Sequence, residues 1–330
     1  MDKIGKYEIS RLLGEGATSN VYLGFDPFTQ REVAIKRLHP EALRGSERSA
    51  LYRNQLLNEA SLAGKLQHPH IIQIHDAVID ERETYVVVME KLDDMLLMNT
   101  ADDPKDWRTE HIEAAVRGIA EVHSIWYKRE DELQKEPWLG PVQTTASMVQ
   151  MSELWDALLV HGANEFPEFV TEAELEMLRA LVRGLPQWWA RLEAMPRTLI
   201  HNDFNPRNLG LRREGLRLCA YDWELATLHV PQRDLAELLC FVLDEQVDPK
   251  VVDHYVELHR RTLSECSGHE IDSKQWRDGY WLALCDFAIN RLCQYLMAHT
   301  VRRYGFIRRV LNTTRTLLLL ERDRGQTPAG

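Results

Sequence analysis

The sequence predicts an α+β chain: a small antiparallel β segment with one helix over residues 1–92, then a large, mostly α segment over residues 93–330. Two observations carry this reading. Short runs rich in Val, Ile and Tyr, with period-two alternation, crowd the first ninety residues, whereas apolar residues recur at helical spacing afterwards. All nine tryptophans also lie at or after Trp107, so the packing style changes once along the chain.

A length of 330 residues allows a sizeable core and, at roughly 100–200 residues per domain, one two-part unit or two domains. The hydrophobic share of 44% and charged share of 28% are ordinary for a globular protein. No run approaches the ~20 apolar residues of a membrane span. The first residues show no apolar signal core, so the expected location is cytoplasmic, without membrane attachment. Five cysteines with no Cys-x-x-Cys spacing argue against a disulfide framework or a zinc site. A net charge of −11 disfavours nucleic acid as a partner. The acidity falls almost wholly after residue 92, which suits a cationic small partner as well as plain solubility.

Taken in order, residues 9–13 and 20–24 read as strands around the turn Gly14-Glu15-Gly16-Ala17-Thr18-Ser19. Glycines at 14 and 16 let the backbone approach an anion closely. The Gly-x-x-x-x-Gly-Lys pattern of P-loop proteins is absent. In the strand "REVAIKRL", Val33 and Ile35 share one face while Ala34 and Lys36 share the other. A helical stretch over 49–66 places Leu56, Leu57, Ala60 and Ala63 at helical spacing and carries Glu59. The run "TYVVVMEKL" is a buried strand ending in Met89-Glu90-Lys91-Leu92.

After residue 93, Thr109 can cap a helix with Ile112, Ala115, Val116, Ile119 and Ala120 on one face. Further helices are expected near 147–160, 172–185, 249–266, 274–299 and 305–320. Trp126, Trp138, Trp155, Trp188 and Trp189 read first as helix-packing residues and second as an aromatic wall for a cationic group.

The chemistry concentrates in "LIHNDFNPRNLGLR", residues 199–212, followed by "AYDWE" from Ala220. Leu209 and Leu211, then Leu218 and Ala220, alternate around a turn at 213–215, so a hairpin delivers Asp222 at its end. A carboxylate at Asp203 can orient or deprotonate an attacking hydroxyl. The amide oxygen of Asn208 and the carboxylate of Asp222 can hold Mg²⁺, which takes oxygen ligands. This set of groups is what phosphoryl transfer from a magnesium–nucleotide complex requires.

The His201-Asn202-Asp203 loop, Asn208 and Asp222 resemble the catalytic loop and metal-binding Asp of the protein-kinase-like superfamily. The resemblance implies a bilobal protein-kinase-like fold and an ATP- and Mg²⁺-dependent phosphotransferase. Residues 1–92 resemble a bacterial Ser/Thr protein kinase N-lobe. There Gly14, Gly16, Val21 and Ala34 would line the nucleotide, Lys36 would contact its phosphates, and Glu59 would position Lys36. Met89 would be the gatekeeper, with the backbone of Glu90 and Leu92 meeting adenine.

Residues 93–330 resemble the aminoglycoside/choline phosphotransferase family. His201 and Asp203 would serve catalysis, and Asp234 would brace the loop. Asn202 stands where protein kinases carry Arg, Trp223-Glu224 stands where they carry Phe-Gly, and no Ala-Pro-Glu follows. These departures favour a small-molecule hydroxyl acceptor, with a cationic one in keeping with the acidic second segment. The alternatives are a Ser/Thr protein kinase and a nucleotide-binding pseudokinase or inactive hybrid of two branches.

Overall fold

Strand alternation builds a six-stranded antiparallel sheet with two different faces. The computed structural model describes residues 3–16, 19–39, 59–62, 64–79 and 85–325. Its strands are β1 (Lys3–Ile4), β2 (Tyr7–Glu15), β3 (Ser19–Asp26), β4 (Arg31–Leu38), β5 (Ile74–Ile79), β6 (Tyr85–Glu90), β7 (Met95–Leu96), β8 (Thr198–Ile200), β9 (Leu209–Arg212), β10 (Arg217–Ala220) and β11 (Thr227–His229). The six-stranded sheet runs in the order β1-β2-β3-β4-β6-β5. As the period-two pattern requires, Val33 and Ile35 of β4 pack with Ile4, Tyr7, Val86 and Val88 on one side. Ala34 turns the other way, toward Ala60, Ile72, Val87, Met89 and Cys219. Gly24 on β3 makes room for this packing, since a Cβ there would lie 2.3 Å from Ile35 Cδ1.

The chain separates into two compact units, Met1–Leu96 with Gly210–Ala226, and Leu97–Leu209 with Thr227–Gly330. Main-chain bonds explain why the later hairpin joins the first unit. The Ala220 amide donates to His70 O at 2.8 Å, and the Ile72 amide donates to Ala220 O at 3.0 Å. β9 also pairs with β7, Leu211 opposite Leu96 and Arg212 opposite Met95. The hairpin reverses through Gly215, whose φ of 71° suits a residue without a Cβ. Of the helix expected over 49–66, residues 59–62 and 64–65 are described and are helical; Leu56, Leu57 and Ala63 lie outside the described residues, as do Ala17 and Thr18.

The second unit is mostly helical: α1 (Thr109–Ser124), α2 (Glu130–Leu133), α3 (Thr145–Gln150), α4 (Ser152–Glu165), α5 (Glu172–Arg183), α6 (Leu185–Glu193), α7 (Gln232–Val242), α8 (Pro249–Ser267), α9 (Ser273–Asp286), α10 (Cys293–Val301) and α11 (Ile307–Asp323), with β8 and β11 paired antiparallel. The predicted apolar face of α1 is buried throughout, but the cap position falls one residue earlier than expected, on Arg108, with Thr109 already helical. Thr171 and Glu174 close a reciprocal capping box at the start of α5. Trp138, Trp155, Trp188 and Trp189 are buried in the core, so they pack helices, and a ligand-binding wall finds no support among them. The stretch expected as one helix over 274–299 is broken: between α9 and α10, Phe287–Leu292 forms a π-helical segment. Among the described residues, no helix is long and apolar enough to cross a membrane.

The result is the expected α+β, protein-kinase-like architecture, with a small β-rich part and a large helical part. Ile35 is fully buried in the β-rich unit. Ile35→Ala is expected to destabilise that unit by about 2–5 kcal/mol in urea unfolding. A change within a few tenths of a kcal/mol would mean that the Val33/Ile35 face is not a packed core.

Candidate active site

In the β-rich unit, a buried cation organises three carboxylates. Lys36 of β4 is 7% exposed, and its Nζ lies 2.8 Å from Glu59 Oε2, 2.6 Å from Asp222 Oδ1 and 3.8 Å from Glu224 Oε2. Burial opposes the charge on Lys36, but Asp222, Glu59 and Glu224 outweigh it and hold the ammonium well above its ordinary pKa. Asp222 adopts left-handed backbone, φ 65° and ψ 56°, a conformation Asp tolerates better than most residues. Trp223, fully buried, anchors the adjoining turn by donating from Nε1 to Ala220 O at 3.1 Å.

Of the residues singled out for nucleotide contact, Val21, Ala34 and Met89 lie on the Lys36 face of the sheet. Val21 pairs with Lys36 across β3–β4, and Ala34 pairs with Met89 across β4–β6. Val21 and Leu92, partly buried, pack against the cluster that holds Ala34 and Met89. The turn after Gly14 is closed by the Gly16 amide donating to Ser19 O at 2.8 Å, and a Cβ at Gly16 would come within 3.0 Å of that oxygen. The Glu90 amide is spent on Gln73 O at 2.9 Å, so a base contact from Glu90 falls to its carbonyl. Its side chain is clamped by Arg212 Nη2 at 2.7 Å.

In the helical unit, Asp234 holds the 201–208 loop by its backbone. Asp234 sits in the first turn of α7, and every residue of that helix is buried. Its Oδ2 accepts the His201 amide at 2.7 Å and its Oδ1 accepts the Asn202 amide at 2.9 Å. Asn202 takes φ 63°, which bends the loop between the two bonds. His123 Nε2 lies 3.1 Å from Asp234 Oδ2, and His123 Nδ1 lies 3.2 Å from His259 Nε2. His201 is fully buried, and its Nδ1 accepts the Asp203 amide at 3.3 Å, so its ring supports the loop from beneath.

The Asp203 carboxylate gathers donors on both oxygens. Oδ1 accepts from Tyr295 Oη at 2.7 Å and Asn205 Nδ2 at 2.9 Å, and Arg291 Nη2 lies 2.5 Å away. Oδ2 accepts from Asn208 Nδ2 at 2.7 Å. Burial opposes its charge, but Arg291 and Arg207, with hydrogen bonds from Arg291 and Tyr295, hold Asp203 well below the usual carboxylate range. Asn208 also donates to Asp203 O at 3.0 Å. With its nitrogen used twice on Asp203, the side-chain oxygen of Asn208 is the atom left for other partners, which fits a hard cation.

Sequence reasoning passed over several participants. Glu224, two residues after Asp222, adds a third carboxylate to the Lys36 cluster, and its place in the "DWE" triplet was the available signal. Arg291 and Tyr295 carried no local signal, because they lie some ninety residues beyond the loop they touch.

Asp234→Ala would leave two loop amides without their acceptor, at about 1–3 kcal/mol each. A loss of about 2–4 kcal/mol in denaturant unfolding is expected; a loss below about 0.5 kcal/mol would remove Asp234 as the brace. A pH dependence follows from His259, which burial, with His123 beside it, holds neutral and well below its ordinary pKa. Stability from this group is full above about pH 6.5 and is lost as pH falls, because the unfolded chain takes up the proton. The unfolding midpoint should therefore drop between pH 7.5 and 5, and drop less in His259→Gln; equal slopes would contradict this origin.

Residues 7–128 match the Protein kinase domain family. The chain is 38% identical over 102 residues to the serine/threonine-protein kinase PrkC of Bacillus subtilis, a match covering 30% of this chain and 15% of that protein. It is 33% identical over 123 residues to the serine/threonine-protein kinase PknE of Mycobacterium tuberculosis, covering 37% of this chain and 20% of that one. The chain thus spans only a small part of these relatives' length. A Ralstonia eutropha structure, named as a proposed aminoglycoside phosphotransferase, shares the fold over 96% of this chain and 93% of its own, with a TM-score of 0.59 at 14% identity. Residues 7–128 thus carry the likeness to the Protein kinase domain family, and the chain as a whole has a protein-kinase-like fold.

Proposed function

We propose that the protein is an ATP- and Mg²⁺-dependent phosphotransferase that moves the γ-phosphate to a hydroxyl of a small-molecule acceptor. The observation that carries this reading is the buried Lys36, bonded to both Glu59 and Asp222. A lysine fixed in this way is a rigid cation for phosphate oxygens, and Gly14, paired with Val21, the cross-strand neighbour of Lys36, has no side chain to keep a phosphate from the backbone. Asn208 in the helical unit and Asp222 in the β-rich unit each carry an oxygen donor of the kind that Mg²⁺ takes; Asp222 can serve Lys36 through one oxygen and a cation through the other. Bound there, Mg²⁺ would neutralise charge on the transferring phosphoryl group.

Asp203 handles the acceptor. Among the described residues its Oδ1 is crowded by four side chains, those of Asn205, Tyr295, Arg291 and Arg207, whereas Oδ2 accepts from Asn208. A carboxylate offers about four lone-pair sites, so Oδ2 has room for the acceptor hydroxyl. Held far below the usual carboxylate range, Asp203 orients that hydroxyl more than it withdraws its proton early. The acceptor oxygen bonds to the γ-phosphorus as the bond to the bridging oxygen breaks. ADP leaves with that electron pair, and the hydroxyl proton passes by way of Asp203 Oδ2 to solvent as the ester forms.

A small acceptor is favoured over a polypeptide by the short connection after Asp222. The turn Trp223–Leu225 is followed at once by β11, itself paired to β8, and then by α7 from Gln232. A peptide-docking segment has no length to occupy. The second reading, a Ser/Thr protein kinase, draws on the identity to PrkC and PknE. Incubation with γ-labelled ATP separates them: label on an aminoglycoside, a choline-like amine or another small alcohol supports the first, and label on generic protein substrates alone supports the second. ATP binding without any turnover would instead indicate a pseudokinase.

Asp203→Asn is expected to keep Mg-ATP affinity within a few-fold and to lower kcat by about 10²–10⁴-fold, the usual contribution of a positioned carboxylate. Binding is read by calorimetry and turnover by ADP release. An unchanged kcat would remove Asp203 from the reaction.

A further inference from the structure

The π-helical segment Phe287–Leu292 interrupts what sequence periodicity reads as one continuous helix. Such turns are uncommon, and they gather at functional sites. Its effect here is geometric. In an α-helix, residues five apart diverge by about 140° around the axis. The i→i+5 bonding of a π turn brings them onto one face. Asp286 and Arg291 are such a pair, and Tyr295 follows one turn later in α10.

All three reach a single buried polar network. Asp286 Oδ2 accepts Arg233 Nε at 2.9 Å, and Arg233 Nη1 donates to Glu237 Oε2 at 2.9 Å. Arg233 thereby satisfies both Asp286 and Glu237, which leaves Arg291 to pair with Asp203 Oδ1 at 2.5 Å. Two guanidinium groups lie over the Tyr295 ring, Arg291 at 5.2 Å and Arg207 at 5.0 Å from its centroid, while its hydroxyl donates to the same Asp203 oxygen at 2.7 Å. Stacking on an aromatic face fixes the plane of the Arg291 fork, and a fixed fork fixes the carboxylate it holds.

We propose that Arg291 is the positioning residue for Asp203: carried to the loop by the π-helical turn, its guanidinium pins Oδ1 and so presents Oδ2 to the acceptor hydroxyl. This rests on the phosphotransferase reading of Asp203. Arg291 acts through Asp203 and touches neither nucleotide nor acceptor. Its loss should therefore appear in turnover and leave nucleotide affinity alone. Lysine keeps the charge but lacks the planar fork, so it should restore only part of the function.

The test uses the full chain with Mg-ATP as the probe and water as the acceptor, reading phosphate release and, separately, Mg-ATP binding. Arg291→Gln is expected to lower kcat at least 10-fold with KM for Mg-ATP within about 2-fold. Arg291→Lys should recover at least 3-fold over Gln. In an Asp203→Asn background, Arg291→Gln should cause no further loss. Tyr295→Phe, which keeps the ring and removes one donor, should lower kcat with KM unchanged and serves if Arg291→Gln fails to fold. Unchanged kcat in Arg291→Gln, parallel loss of turnover and binding, a lysine variant no better than Gln, or additive losses with Asp203→Asn would each overturn the proposal. A wild-type chain that neither binds Mg-ATP nor releases phosphate would instead sink the phosphotransferase reading, and the proposal with it.

Discussion

A carboxylate drawn into a protein interior must be matched by donors, and the helical unit is arranged around that requirement at Asp203. Three guanidinium groups, Arg207, Arg233 and Arg291, meet three carboxylates, Asp203, Glu237 and Asp286. Removing one partner from such a network leaves a buried charge uncompensated, which typically costs about 3–5 kcal/mol. The network is thus a constraint on position more than a source of stability. Burial pushes Glu237 up even with Arg233 beside it, while Asp203 is held down. Of these two carboxylates, the one on the loop is the more strongly held in its charged form.

The β-rich unit solves a mirror-image problem. There a cation is buried, and carboxylates from a helix (Glu59) and from a hairpin end (Asp222, Glu224) converge on Lys36. The hairpin reaches this place because Ala220 bonds to the backbone of His70 and Ile72. Both arrangements hold reactive groups on regular elements or on loops tied by buried backbone bonds. That is the condition for electrostatic preorganisation, in which charge is already aimed before substrate arrives.

Much of this was legible in the sequence for definite reasons. Period-two alternation placed Lys36 and Ala34 opposite Val33 and Ile35, and the sheet keeps that division. The spacing of Asp203 and Asn208 put both in one loop, where they bond. The helical faces of α1 and α5 were readable because their apolar residues follow a 3.6 period. The π-helical segment was not, since an extra residue in one turn alters the facing of side chains without altering composition. Arg291 and Tyr295 were invisible for the related reason that their partners are distant in sequence. The tryptophans were ambiguous from sequence because a wall and a core use the same residue type; burial resolved four of them into the core.

The most direct measurement of the central claim is a crystal structure of the chain with Mg²⁺ and a non-hydrolysable ATP analogue. The account predicts phosphate oxygens on Lys36, the cation on the Asn208 side-chain oxygen and on Asp222, and Asp203 Oδ1 still held by Arg291 and Tyr295. A nucleotide bound away from Lys36, or a cation bound without Asn208 and Asp222, would contradict it.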